Sequence, residues 1–432
     1  MKCAFYETEI TSPIGSSMPG YFIDRFTTGV KDKLYCKAFA ATDGNTTFAM
    51  LEVDACELMK CYSDAIIKRV CEKNDISPQN VAVSVTHAHT GIACGGLTGE
   101  TVDEEYMKVF VRIAADCVSL AIARMEEADA FFGQGFVDGY SFNRIYRLPD
   151  GTIRTQPKRD VKCEHYTEND PLLPILLIKD KQGTPKGALL SFSCHQDCVG
   201  GREYSGDYSS EMSIQLKKHF GPEFVSMYIT GASGDINHIN PDFSNASAKK
   251  PEQNELPYYR KMGRALAKEA VRVIESGLTP VGDKVSAAYK ALEIEMRRAT
   301  PEMIENAKAI IADPDAHGKA TAKALLEYLQ NEKEYLHKAS VQVFSIGNAS
   351  IFLLPGELFH RFATKVRNAL PNKNCLFSTL SNGWHGYIPT PELVDMYTDV
   401  NSNVYEIKLC YGSCLERNAG DIITDTAIAL AK

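Results

Sequence analysis

Four apolar runs constrain this chain more than any other feature, because each ends in a cluster of polar residues. Val81–Thr86 leads into His87-Ala88-His89-Thr90-Gly91, and Ala188–Ser193 leads into Cys194-His195-Gln196-Asp197. Phe224–Thr230 leads into Gly231-Ala232-Ser233-Gly234-Asp235-Ile236-Asn237, and Ile351–Leu354 into Pro355-Gly356-Glu357. A run of about six β-prone residues reads as a buried strand. In α/β sheets, ligands collect at the loops past the carboxyl ends of strands. Two histidines, an aspartate or asparagine, and a glutamate delivered to such an edge predict one shared site. Their residue types predict a metal.

Composition narrows the partners. The 432-residue chain has a formal net charge of -8 and no clustered basic stretch. Lys158-Arg159 and Lys249-Lys250 are short and isolated. Phosphate contacts need grouped Lys and Arg, so a nucleic-acid partner is not expected. No stretch reaches the roughly 18 apolar residues of a membrane span, so no stable membrane insertion is expected. Met1-Lys2-Cys3-Ala4-Phe5-Tyr6-Glu7 carries early charge and no apolar core, unlike a secretory leader. Without one, the 13 cysteines read as free thiols in a reducing cytoplasm. The partner expected is a small-molecule substrate. The oligomeric state stays open, a homo-oligomer included.

Strands and helices alternate without a clear break, which predicts one α/β unit over residues 1–432. Leu34–Ala40 and Thr47–Val53 read as a strand pair over Asp43-Gly44-Asn45. Cys56–Glu72 and Asp103–Glu127 have helical spacing. Pro174–Asp180 with Gly187–Ser193, and Val341–Ile346 with Ser350–Leu354, read as hairpins. Several hairpins imply mixed, twisted sheets flanked by helices rather than a regular parallel sheet. Thr300 with Pro301 opens a helix to Ala312, and Lys319–Lys338 reads as its partner. Residues 300–338 therefore form a helical-hairpin insertion. No internal repeat is visible in the sequence.

His87 and His89 are two apart at a strand end and face one side if the backbone stays extended. Alone they are equally compatible with hydrogen-bonded residues at a strand terminus. Cys194 and Cys198 flank His195, but the spacing matches no standard zinc knuckle. Glu357 follows Pro-Gly at a strand-to-helix junction, where a carboxylate also suits the helix dipole. Two histidines and one glutamate with an open position suit catalytic zinc. No local spacing such as His-Glu-x-x-His binds them together.

Further motifs resemble the neutral/alkaline ceramidases. They are Thr11-Ser12-Pro13-Ile14-Gly15, Pro19-Gly20-Tyr21, Gly29-Val30 through Leu34-Tyr35-Cys36-Lys37-Ala38, Ser84–Gly91, Asn143-Arg144, the strand ending in His195, Gly234-Asp235, Pro355-Gly356-Glu357, Gly386-Tyr387 and Tyr405-Glu406. They follow the family's order along the whole chain. The resemblance implies the catalytic domain's fold and a zinc-dependent hydrolase of an amide bond, with one zinc per chain. It places the ligands on His87, His195, Glu357 and Tyr405. It places His89 and Arg144 at the reacting carbonyl or its oxyanion. The chain departs from the family in three ways. Asn237 stands where the family has a serine credited with a nucleophilic or positioning role. No counterpart of the family's C-terminal sandwich domain, and no leader, is expected. Ceramide is therefore not the expected substrate; a smaller, more polar or acylated molecule is.

The expected chemistry is attack on a carbonyl by zinc-bound water, whose pKa the metal brings from about 15.7 toward about 7. Asp235 or Asn237 is placed to hydrogen-bond a zinc-binding histidine. Arg147, beside Arg144 and Tyr146, suits an anionic substrate group. Trp384-His385-Gly386-Tyr387 suits a pocket wall, with His385 as a spare proton donor and Tyr387 at the substrate. A metal-dependent lyase or isomerase acting beside a carbonyl is the alternative, and product analysis in labelled water separates it. A non-catalytic binding protein that retains the fold is the third class.

Overall fold

The apolar runs are strands covered on both faces. Along Leu172–Asp180, Leu176 and Ile178 face one cluster, while Leu173, Ile175 and Leu177 face another. Leu189, Met227 and Ile229 share the first side, and Ala188, Leu190 and Tyr228 the second. Successive side chains on a strand point to opposite faces, so a run with no polar alternation has no wet side. The computed structural model describes residues 1–21, 25–95, 100–157, 163–240, 255–313, 319–397 and 403–432. Lys158-Arg159 and Lys249-Lys250 lie outside them.

The class is α/β with mixed sheets and flanking helices, as the hairpins imply. The same order of elements runs three times. In the first round Lys2–Glu9, Tyr35–Thr42 and Thr47–Val53 pair antiparallel. The helix Lys60–Lys73 then crosses over to Val81–Val85, which lies parallel to the third strand, and the helix Glu104–Ala123 follows. The second round has Glu126–Phe136, Leu172–Asp180 and Pro185–Phe192 antiparallel. The helix Asp207–Phe220, the parallel strand Val225–Thr230 and the helix Tyr258–Ser276 complete it. The third has Val285–Glu295, Leu336–Ile346 and Ala349–Leu353 antiparallel. The helix His360–Ala369, the parallel strand Asn374–Ser378 and the helix Ala419–Ala431 close it. A repeat absent from the letters is thus present in the topology.

Phe39, Met50, Leu176, Leu189, Phe344 and Leu353 belong to one buried cluster that draws on all three rounds. Each round's helices cover the opposite face of its own strands. The three parallel strands meet at their carboxyl ends. Thr230 Oγ1 donates to Val85 O at 3.2 Å, Thr379 N to Thr230 O at 2.8 Å, and Ser378 Oγ to Ser84 Oγ at 3.0 Å.

Several boundaries differ from expectation. The first helix starts at Lys60, because Met59 is extended and Cys56 and Glu57 stay in the loop. The insertion's second helix ends at Asn331, and Leu336 already pairs with Glu295. Residues 300–338 join the first and second strands of the third round, so the insertion includes the start of a strand. Among the described residues, no helix is long and apolar enough to cross a membrane.

Candidate metal centre

His87 lies two residues past Val81–Val85 with φ 64°, a left-handed conformation uncommon for a residue with a Cβ. Strain of this kind is held where a site needs it. Its Nδ1 donates to Cys56 O at 2.6 Å, from the loop after the neighbouring strand. His195 lies past Pro185–Phe192, and its Nδ1 faces Ser233 O at 2.8 Å and Ile236 O at 3.0 Å. A carbonyl only accepts, so in each ring Nδ1 carries the proton and Nε2 presents its lone pair.

Glu357 completes the group. Gly356 before it has φ 69°, and a Cβ there would meet Gly386 O at 2.7 Å, which accounts for the Pro-Gly-Glu turn. Glu357 Oε2 is 3.3 Å from His87 Nε2 and 3.2 Å from His195 Nε2. None of the three atoms has a hydrogen-bond partner, and all are buried. Glu357 Oε1 accepts from Trp384 Nε1 at 3.3 Å. Burial, with Arg144 next, pushes His195 down to about 3. Buried polar atoms left unpaired are costly, so this geometry calls for an occupant that satisfies all three. Cys56, His87 and His89 also bring ligand atoms within 4.8 Å of one another.

The group opens into a cavity of about 550 Å³. His89 lines it, with its ring centroid 4.9 Å from that of His87. Its Nδ1 is 3.8 Å from Asp197 Oδ1, which accepts a hydrogen bond from Tyr21 Oη. Burial pushes His89 down to about 4, against Asp197. Arg144 lines the cavity and is buried. Its Nε is 2.8 Å from Glu406 Oε1, and its Nη2 donates to Gly234 O at 2.7 Å. The guanidinium also lies over the rings of Tyr387 and Tyr405 at 5.5 and 5.1 Å.

Other expected residues sit differently. Asp235 does not hold the ring of His87 or His195. Its Oδ1 accepts from His360 N and its Oδ2 from Asn143 Nδ2, both at 2.8 Å, so it ties a helix start to the segment bearing Arg144. The carbonyls of its neighbours Ser233 and Ile236 hold His195 instead. Asn237 Oδ1 accepts from Ile239 N at 3.0 Å, and Asn237 does not line the cavity. Arg147 is exposed and lies over Tyr166, away from the cavity. His385 is buried outside it, 2.6 Å from His337, and burial pushes it down to about 3. The tyrosine beside the triad is Tyr387, not Tyr405. Tyr387 pairs with Glu357 across two short parallel strands, and its ring lies within 10° of the His195 plane. Tyr405 meets Tyr387 edge-on and is 37% exposed.

Asp197, Tyr21 and Glu406 were not singled out as site residues. Asp197 had a signal, since His195-x-Asp197 repeats the spacing of His87-x-His89. Tyr21 and Glu406 stood in the motifs but reach the site only through the folded loops.

Residues 7–255, more than half of the chain, match the family described as neutral/alkaline non-lysosomal ceramidase, N-terminal. The chain belongs to this family. A neutral ceramidase from Pseudomonas aeruginosa has the same fold, with a TM-score of 0.76 at 16% identity over 100% of this chain and 74% of that one. A ceramidase structure described as complexed with C2 gives 0.75 at 14% identity over the same shares. No curated protein sequence matches the chain. Ceramidase family membership implies a hydrolase acting on an amide bond.

Proposed function

We propose that this ceramidase-family chain is a zinc-dependent amidohydrolase cleaving a C–N bond of a small polar or acylated molecule. The observation that carries the proposal is the triad. His87 Nε2, His195 Nε2 and Glu357 Oε2 are buried, unpaired and turned to one another, with both ring protons already committed to carbonyls. Two neutral imidazoles and a carboxylate suit zinc with a position left open, and Tyr387, stacked beside His195, is the phenol we assign to a fourth contact. Zinc bound there supplies Lewis acidity and lowers the pKa of water.

The chain's own residues do the rest. Arg144, fixed by Glu406 and Gly234, offers its remaining donors to the carbonyl oxygen as negative charge builds on it. His89, neutral at neutral pH, adds an N–H to the same oxygen. Removing one such donor costs about 10²–10³ in rate. Water adds to the carbonyl carbon, the C–N bond breaks, and the leaving nitrogen takes up a proton. Loss of hydration in the cavity raises both phenols above their ordinary range, so Tyr387 and Tyr405 keep their protons and either supplies a hydrogen bond at that step.

The test is metal analysis of the wild type beside His87→Ala and Glu357→Ala, with product analysis in oxygen-labelled water. A screen of N-acyl amino acids, lactams and simple amides against esters supplies the substrate. One zinc per chain, its loss in both variants and label in the product carboxylate are expected. Unchanged metal in both variants overturns the metal assignment. A product without solvent oxygen turns the reading to a lyase or isomerase.

A further inference from the structure

The balance of charge in the cavity is unusual for a site expected to hold an anion. Among the described residues its arginine, Arg144, is matched by the fully buried Glu406 at 2.8 Å, and Glu357 would partly meet the charge of a metal held at the triad. Among the described residues, the other acidic groups at the wall are Asp197, Glu57 and Glu327. Asp197 accepts a hydrogen bond from Tyr21 Oη. Glu327 is on the insertion helix Lys319–Asn331, one turn from Ala324, and both line the cavity. Residues three apart share a helix face, so this face is turned to the cavity. Ala322, Leu325 and Tyr328 of the same helix are buried instead. Tyr328 meets Tyr411 edge-on, with centroids 5.3 Å apart, which sets Tyr411 beside the insertion helix. Gly412 follows, and a Cβ on it would lie 3.7 Å from Trp384. The lining thus carries an indole, a phenol ring beside the insertion helix and that helix's carboxylate, and Glu327 is exposed.

Aromatic faces beside a carboxylate favour cations, by about 0.5–1 kcal/mol per ring at exposed positions. We infer that the substrate of this site carries a cationic ammonium group, seated against Glu327, Tyr411 and Trp384 while its amide lies at the triad. The inference rests on the amidohydrolase reading and adds the substrate's charge to it. It also replaces the anionic group expected from Arg144 and Arg147, since one is paired and the other lies outside.

Trp384 is the chain's sole tryptophan, so its fluorescence reports binding at this wall without any turnover. The probes are three acetamides of matched length: N-acetylputrescine (cationic), N-butylacetamide (neutral) and N-acetyl-γ-aminobutyrate (anionic). The wild type is expected to bind the cationic probe at least several-fold more tightly than the neutral one, less so as salt rises. Glu327→Gln should weaken the cationic probe roughly three- to tenfold and leave the neutral one unchanged. Glu327→Lys should favour the anionic probe. Glu223→Gln, an exposed turn residue just before Val225–Thr230, controls for net charge. Equal binding of all three probes, or no response to either Glu327 variant, overturns the inference. Hydrolysis of amides without charge preference sinks this inference and leaves the reaction standing. Charge-selective binding without hydrolysis of any amide does the reverse.

Discussion

At the scale of single residues, the informative feature is what holds each functional group. His87, His195 and Glu357 were legible because each closes an apolar run, but their partners were not. The carbonyls of Cys56, Ser233 and Ile236 fix the rings, and a backbone carbonyl has no letter. Arg144 shows the same limit. Asn143-Arg144 and Tyr405-Glu406 both stood in the sequence, yet nothing there said that they pair. In the fold both side chains are buried, and the Arg144 N–H is not directed at Glu406 Oε1, so the contact is charge pairing. Removing one partner of a buried pair leaves an uncompensated charge, at about 3–5 kcal/mol. Glu406→Gln should lower the urea midpoint accordingly and cut kcat by roughly a hundredfold, as Arg144 loses its anchor. Arg144→Met combined with Glu406→Leu should recover most of the stability and none of the activity. If Glu406→Gln is as stable and active as wild type, the pair has no anchoring role.

At the scale of elements, strand cores were legible and their ends were not. Long apolar runs announce buried strands, whereas Val285–Glu295, fully buried only at Val285 and Ile294, has no such run and went unseen. The ends matter because the site is built there. Gly234 packs where one round meets another: a Cβ on it would stand 2.2 Å from Glu357 O and 2.9 Å from Glu357 C. Backbone cannot yield as a side-chain tip does. Gly234→Ala should therefore shift Glu357 off the triad and lower zinc affinity by roughly 10–100-fold, the scale of lost ligand support. A chelator-competition titration measures it, and an unchanged affinity refutes it. The helix Asp207–Phe220 gives a pH prediction. Asp207 sits at its start with φ 57°, accepting from Val199 N at 2.8 Å and Tyr208 N at 2.6 Å. Burial pushes its carboxyl up to about 7, from an ordinary value near 4. Between those values the folded chain binds more protons than the unfolded one, so stability falls as pH rises through about 4 to 7. Asp207→Asn keeps the left-handed turn but does not titrate, so that slope should flatten in urea melts. An identical slope in the variant excludes Asp207 as its source.

At the scale of the molecule, the threefold order of elements explains why distant motifs converge. His87 comes from the first round, His195 from the second and Glu357 from the third. The connection between first and second strands reaches the same cavity in every round, through Tyr21, then Arg144 and Gln156, then Ala324 and Glu327. The helical insertion is thus the third member of a series of covers over one site. A metal held by one ligand from each round would tie the rounds together and add to the shared apolar cluster. Anything that binds the folded state alone stabilises it by mass action, about 2.7 kcal/mol at a free concentration 100 times Kd. Zinc should therefore raise Tm in a concentration-dependent way and slow amide exchange together in the loops after Val81–Val85, Pro185–Phe192 and Ala349–Leu353. Glu357→Gln, nearly isosteric, should keep the fold and lose the whole zinc-dependent rise. Protection confined to a single loop, or a rise that persists in Glu357→Gln, would show that the three rounds do not share one ion.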